Sequence, residues 1–196
     1  MKHLTTISLG LALLAGIAHA DPKADPKAGA PAAPKDAKAE PPKEMPKAPQ
    51  ELADLAKGMS GTWTCAGKVD VAGTMMDVKG TITHKLDLDG WWMQTSVAAT
   101  AGKLPTMHIV FMTTYDAAAK KWFRESANSH GGHGTSWGTL ADKKVSWEGD
   151  VHTPGGEAKL RATEEMVSAK EAHLAGEYSK DGGKTWKPDH DISCKK

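Results

Sequence analysis

From residue 61 onward the chain alternates. In MMDVKGTITHKL, Met76, Val78, Ile82, His84 and Leu86 share one parity, and Asp77, Lys79, Thr81, Thr83 and Lys85 occupy the other. A period of two places the first set on one face of a pleated strand and the second set on the opposite face. The same habit recurs in GTWTCAGKV, TMHIVFMTTY, WGTL, VSWEG, KLRATEEM and KEAHLAGEY. Turn residues separate these stretches, in LDGWW, YDAAAKKWF, HGGHG, LADKK, HTPGG and SKDGG. Only PQELADLAKGM reads as a short amphipathic lead. Nine or ten short strands with brief connections exclude helical bundles and doubly wound sheets, and predict an all-β antiparallel barrel or sandwich.

The residues ahead of that region cannot contribute a core. Residues 1–20 have a basic start, the apolar run ISLGLALLAGIA and a small-residue AHA before Ala20, the pattern of a cleaved signal peptide. The apolar run is too short to span a bilayer comfortably. Residues 21–49 hold eight of the chain's 11 prolines among alanines and lysines, the composition of an extended or disordered linker. Residues 50–196 then form one domain. Without Lys2 the chain carries 24 basic against 24 acidic residues. It therefore offers no electrostatic basis for nucleic-acid or anionic-membrane binding. A periplasmic or secreted monomer is expected.

Both cysteines, Cys65 and Cys194, lie in this domain, near its two ends, and lack the CxxC spacing of redox enzymes. In an oxidising compartment they admit one intramolecular pairing. An up-and-down barrel makes its first and last strands neighbours, so the bond would staple the closing seam. The motifs Gly61-Thr62-Trp63 with Cys65, Leu86 through Trp92, Tyr115-Asp116 with Lys120 and Trp122, Ser136-Trp137-Gly138 and terminal Cys194 carry a resemblance. The domain resembles secreted bacterial lipocalin-like (calycin) β-barrel domains of unassigned function, over nearly all of residues 50–196. That resemblance implies an up-and-down barrel of about ten strands with a cavity. Fatty-acid-binding barrels and nitrobindin-type haem barrels share the architecture.

SKDGGKTW, at 179–186, has the spacing of the Asp-box turn of sialidase-like propellers. A sialidase needs repeated blades and an arginine triad, whereas this chain has two arginines, Arg124 and Arg161. The stretch is read as a hairpin turn, with Asp181 bonding to backbone donors and Gly182 and Gly183 taking the unusual dihedrals. No nucleophile elbow, P-loop or dinucleotide glycine pattern occurs in a suitable setting, so no catalytic residue is assigned.

Trp63, Trp122 and Trp147 sit in alternating strands and are expected in the core, while the adjacent pair Trp91 and Trp92 is the aromatic ligand candidate. Arg124 shares parity with Trp122 and is expected to point inward, either clamping an acidic head group or pairing with an interior carboxylate. Arg161 is expected to face solvent. His84 and His108 are the histidines that could project into a cavity. His130 and His133, flanking two glycines, are the nearest approach to a metal site, though no metal is assigned. His190 is the best match to the C-terminal haem ligand that the nitrobindin comparison implies, but acidic neighbours and Pro188 weigh against it, and no cofactor is assigned. The expected function is non-enzymatic binding of a small apolar or amphipathic molecule. The alternatives are a filled-core module that contacts an envelope protein, and a haem barrel.

Overall fold

The computed structural model describes residues 46–196, so the expected signal peptide and most of the expected linker lie outside the described residues. A single helix, α1 (Gln50–Met59), leads into ten strands. These are β1 (Gly61–Val71), β2 (Thr74–Asp87), β3 (Trp92–Ala101), β4 (Met107–Asp116), β5 (Lys121–Asn128), β6 (His133–Ala141), β7 (Lys144–Thr153), β8 (Gly156–Ser168), β9 (Glu171–Ser179) and β10 (Lys187–Lys195). Each pairs antiparallel with its sequence neighbour, and β1 pairs with β10 to close the barrel. Closure leaves no unpaired edge, which removes the liability of an open antiparallel sheet.

The seam carries the disulfide. Cys65 and Cys194 face each other in register, with Cα atoms 4.0 Å apart, and the bond spans 129 residues of sequence. Beside it Trp63, Cys65, Ile82 and Cys194 form one buried cluster, joined by Val97, Leu174 and Ile192. The void left there measures about 30 Å³, room for about one water.

A second cluster fills one end of the barrel. Leu52 of α1, Met93, Trp122, Val145 and Trp147 are all nearly inaccessible. Met93, Trp122 and Val145 stand just after the β2–β3, β4–β5 and β6–β7 connections, and antiparallel alternation puts those three turns at one end. α1 plugs that end. Leu52 and Ala56, one turn apart, form its buried stripe, and Trp63 Nε1 donates to the Met59 carbonyl to fix where it stops. Asp116 caps the β4–β5 turn by accepting from the backbone N–H of Ala118 and Ala119, as its sequence position predicted.

Candidate functional site

Trp122 and Arg124 share the inward face of β5, and the guanidinium crosses the barrel interior. Arg124 Nη1 and Nη2 donate to the two carboxylate oxygens of Glu164 on β8, at 2.5 and 2.9 Å. Nε reaches Thr113 Oγ1 at 3.3 Å on neighbouring β4. The guanidinium lies 3.7 Å from the centroid of the Trp147 ring and 5.1 Å from that of Phe111. Planar stacking with a bidentate carboxylate is the geometry arginine satisfies and lysine cannot.

Glycine makes room for this arrangement. A Cβ on Gly138 would come within 2.7 Å of the Trp147 ring, so the indole lies flat against β6 only because that position has no side chain. Trp147 Nε1 is buried with no hydrogen-bond partner. Burial by itself would raise the Glu164 pKa. The Arg124 charge and hydrogen bonds outweigh it, helped by His84 and the nearby indole N–H, and hold the carboxyl below its ordinary value. His84 Nδ1 is 2.8 Å from Thr95 Oγ1 across the β2–β3 pair. Burial pushes the His84 pKa down to about 4, so the imidazole is neutral at pH 7.

Accessibility changes along the barrel. Met93, Trp122, Val145 and Trp147 toward the α1 end are buried, whereas Phe111, Ser126, Val151 and Leu160, farther from it, are half-buried. Arg124 and Glu164 lie between, with 12% and 22% of their side-chain surface exposed.

The residues singled out in the sequence divide between the two faces. Arg124 and His84 are brought together inside, and Arg124 takes the interior-carboxylate option. Glu164 completes the pair. It lies in the run Glu164-Glu165, which alone gives no sign of which acid faces in. The alternation of KLRATEEM with Leu160 and Ala162 does, since it puts Glu164 on their parity. Arg161 is outside as expected, bonded to Glu177 at 2.6 Å and 4.3 Å from the centroid of the Trp186 ring.

His108 is exposed on the outer face of β4 and corrects the expectation that it could enter a cavity. Its strand turns Ile109, Phe111 and Thr113 inward, so the alternation that admits them ejects it. Trp91 and Trp92 do not form a mouth. Trp91 caps the short 3₁₀ turn Leu88–Gly90 at the plugged end, and Trp92 packs on the outside against Phe123, ring centroids 6.4 Å apart. Phe123 in turn meets Trp137, which is 43% exposed.

His133 pairs with His152 on the outer face, while His130 stays in the β5–β6 loop. His190 has the inward parity of Ile192 and Cys194, with Nδ1 2.7 Å from Asp189 Oδ2 and its ring against Gly176. The ring is thus engaged by Asp189 on one side and packed on β9 at the other.

The SKDGGKTW stretch is a closed turn. Asp181 accepts from the Lys184 and Thr185 backbone and from Thr185 Oγ1, and Ser179 Oγ accepts from Gly183. Those bonds, led by the Thr185 hydroxyl, hold the Asp181 carboxyl far below its usual range. The Asp181 carboxylate and the Ser179 hydroxyl are both spent on the turn.

No protein family and no curated protein matches the chain. Among solved structures it is similar to Rv2717c from M. tuberculosis, at 8% identity and a TM-score of 0.59, over 77% of this chain and 99% of that one. At that identity the likeness shows the barrel fold alone. EF1p2_mFAP2b bound to DFHBI matches at 13% identity over 74% of this chain and 98% of its own, with a TM-score of 0.39 that is too low to support an argument.

Proposed function

We propose that the barrel holds one small amphipathic molecule in the accessible part of its interior, with the polar end of that molecule against Glu164, Arg124, His84 and the Trp147 N–H. The carrying observation is the Arg124–Glu164 pair inside the barrel, whose side chains keep 12% and 22% of their surface exposed. A core serving stability alone gains nothing from such a group, since buried ion pairs are at best weakly stabilising relative to apolar packing. Arg124 and Glu164 neutralise each other and His84 is uncharged, so the floor favours a neutral hydrogen-bonding head over an anion. Phe111, Val151 and Leu160 supply the apolar wall.

The domain boundaries belong to the same reading: a signal peptide over 1–20, a linker over 21–49 and the binding domain over 50–196. The disulfide supports a periplasmic or secreted setting, and among the described residues no helix is long and apolar enough to cross a membrane. Lipocalin-like kinship rests on the sequence motifs. A second reading, a filled module acting through its outside, draws on the exposed Phe123–Trp137 contact and the tightly packed seam.

Titration of the full chain with the neutral dye N-phenyl-1-naphthylamine distinguishes the two. The binding reading expects saturation at one dye per chain, with loss of binding in Ser126→Trp, which fills the inner face beside Phe111. An absence of saturable binding by this dye and by a series of uncharged amphiphiles supports the outer-surface reading. A parallel hemin titration showing a Soret band abolished by His190→Ala would instead establish the haem barrel.

A further inference from the structure

We propose that His133 and His152 form an open two-imidazole site for a borderline divalent transition ion, Cu²⁺, Ni²⁺ or Zn²⁺, on the outer face of the barrel. The two residues are directly opposed in the β6–β7 register, and their rings stack with centroids 5.0 Å apart and planes 14° from parallel. Both point outward, because their neighbours Gly134 and Val151 take the inward parity. Neither is committed to a core contact. The flanking residue on β5 is Ala127, too small to crowd the pair.

Distance favours a shared ion. With metal–nitrogen bonds of about 2.1 Å, two imidazoles at adjacent positions on one ion hold their centroids roughly 4.5 to 5.2 Å apart. The observed separation is already in that range. Nearly parallel rings cannot both aim at one ion, so binding requires rotation about χ2, a broad torsion for imidazole and free for exposed rings.

The next residue in the row adds an acidic charge. Glu157, across β7–β8 from His152, places Oε1 3.4 Å from His152 Nδ1. At that separation the contact is an ion pair and not a hydrogen bond, so Glu157 contributes a negative charge beside the two imidazoles that favours a bound cation. Among the described residues no group of three or more His, Cys, Asp or Glu side chains is set to hold a metal. Water completes the coordination, and carbonyl- or carboxylate-preferring ions such as Mg²⁺ and Ca²⁺ are not expected. The site lies outside the barrel and is independent of the interior reading.

The test is calorimetric titration of the full chain with Cu²⁺, paired with electron paramagnetic resonance. It is run in a His3→Ala background, since an amino-terminal Met-Lys-His can itself chelate copper. The expected result is one equivalent bound with hyperfine coupling from two imidazole nitrogens. His133→Gln and His152→Gln should each weaken binding at least about tenfold and leave one coupled nitrogen. Glu157→Gln should weaken binding less and keep both nitrogens. Binding unaltered by His133→Gln and His152→Gln, or lost only in His130→Ala, overturns the assignment.

Discussion

Arg124 and Glu164 show how costly half of an interior pair is. Removing one partner leaves a charge facing apolar walls, so Arg124→Met or Glu164→Leu should each destabilise by about 3 kcal/mol, measured by urea unfolding at pH 7. The double variant should recover most of that loss, because what hurts is the orphaned charge and not the missing bridge. Recovery of less than half would mean that the pair stabilises the barrel on its own account. His84 gives a pH signature. Its folded pKa of about 4 lies below the ordinary imidazole value of 6.5, so between those values the unfolded chain takes up a proton that the folded chain refuses. Stability should therefore fall as pH drops through this window, by roughly 2 kcal/mol at pH 4.5 from this group, and should not change on its account above pH 7. His84→Asn should flatten that slope in unfolding midpoints taken between pH 7 and 4.5. The shifted carboxyls Asp54, Asp77, Asp87, Glu164 and Asp181 all move downward, so their contributions are lost only as pH falls through their ordinary values of 4.5 for Glu164 and 3.8 for the aspartates, at the acid edge of the window.

The helix α1 was visible in the sequence only as a short amphipathic lead. Ten residues with two buried positions cannot hold a helix in water, so its stability must come from packing. The barrel end provides that packing. Leu52→Ala should cost about 3 kcal/mol through lost contact with Met93, Trp122 and Trp147, readable as a lower thermal midpoint. A comparable substitution at half-buried Leu55 should cost visibly less. Strand identity was far more legible, since MMDVKGTITHKL alternates over its length and needs no partner to reveal its faces. Facing errors arose where alternation is weak. His108 sits among Met107, Ile109 and Val110, all apolar, so hydrophobicity does not say which side is which. Trp91 and Trp92 fell at a turn, where the two-residue period does not apply.

Closure of β1 on β10 ties the molecule together, and the disulfide acts on the unfolded chain as much as on the folded one. Cross-linking residues 129 apart should stabilise by about 4–5 kcal/mol in the chain-entropy account. A Cys65→Ser/Cys194→Ser variant should still form the barrel, as judged by circular dichroism, but should unfold at markedly lower urea concentration. The all-β class, the strand number to within one, the cysteine pairing and the inward side of Arg124 follow from residue chemistry, because side-chain parity and turn composition are local quantities that neighbours in the chain decide. Glu164 as the partner of Arg124, the helix as a plug, and the pairing of His133 with His152 depend on barrel stagger and strand register. Those join residues 19 to 95 positions apart, and no local pattern records them.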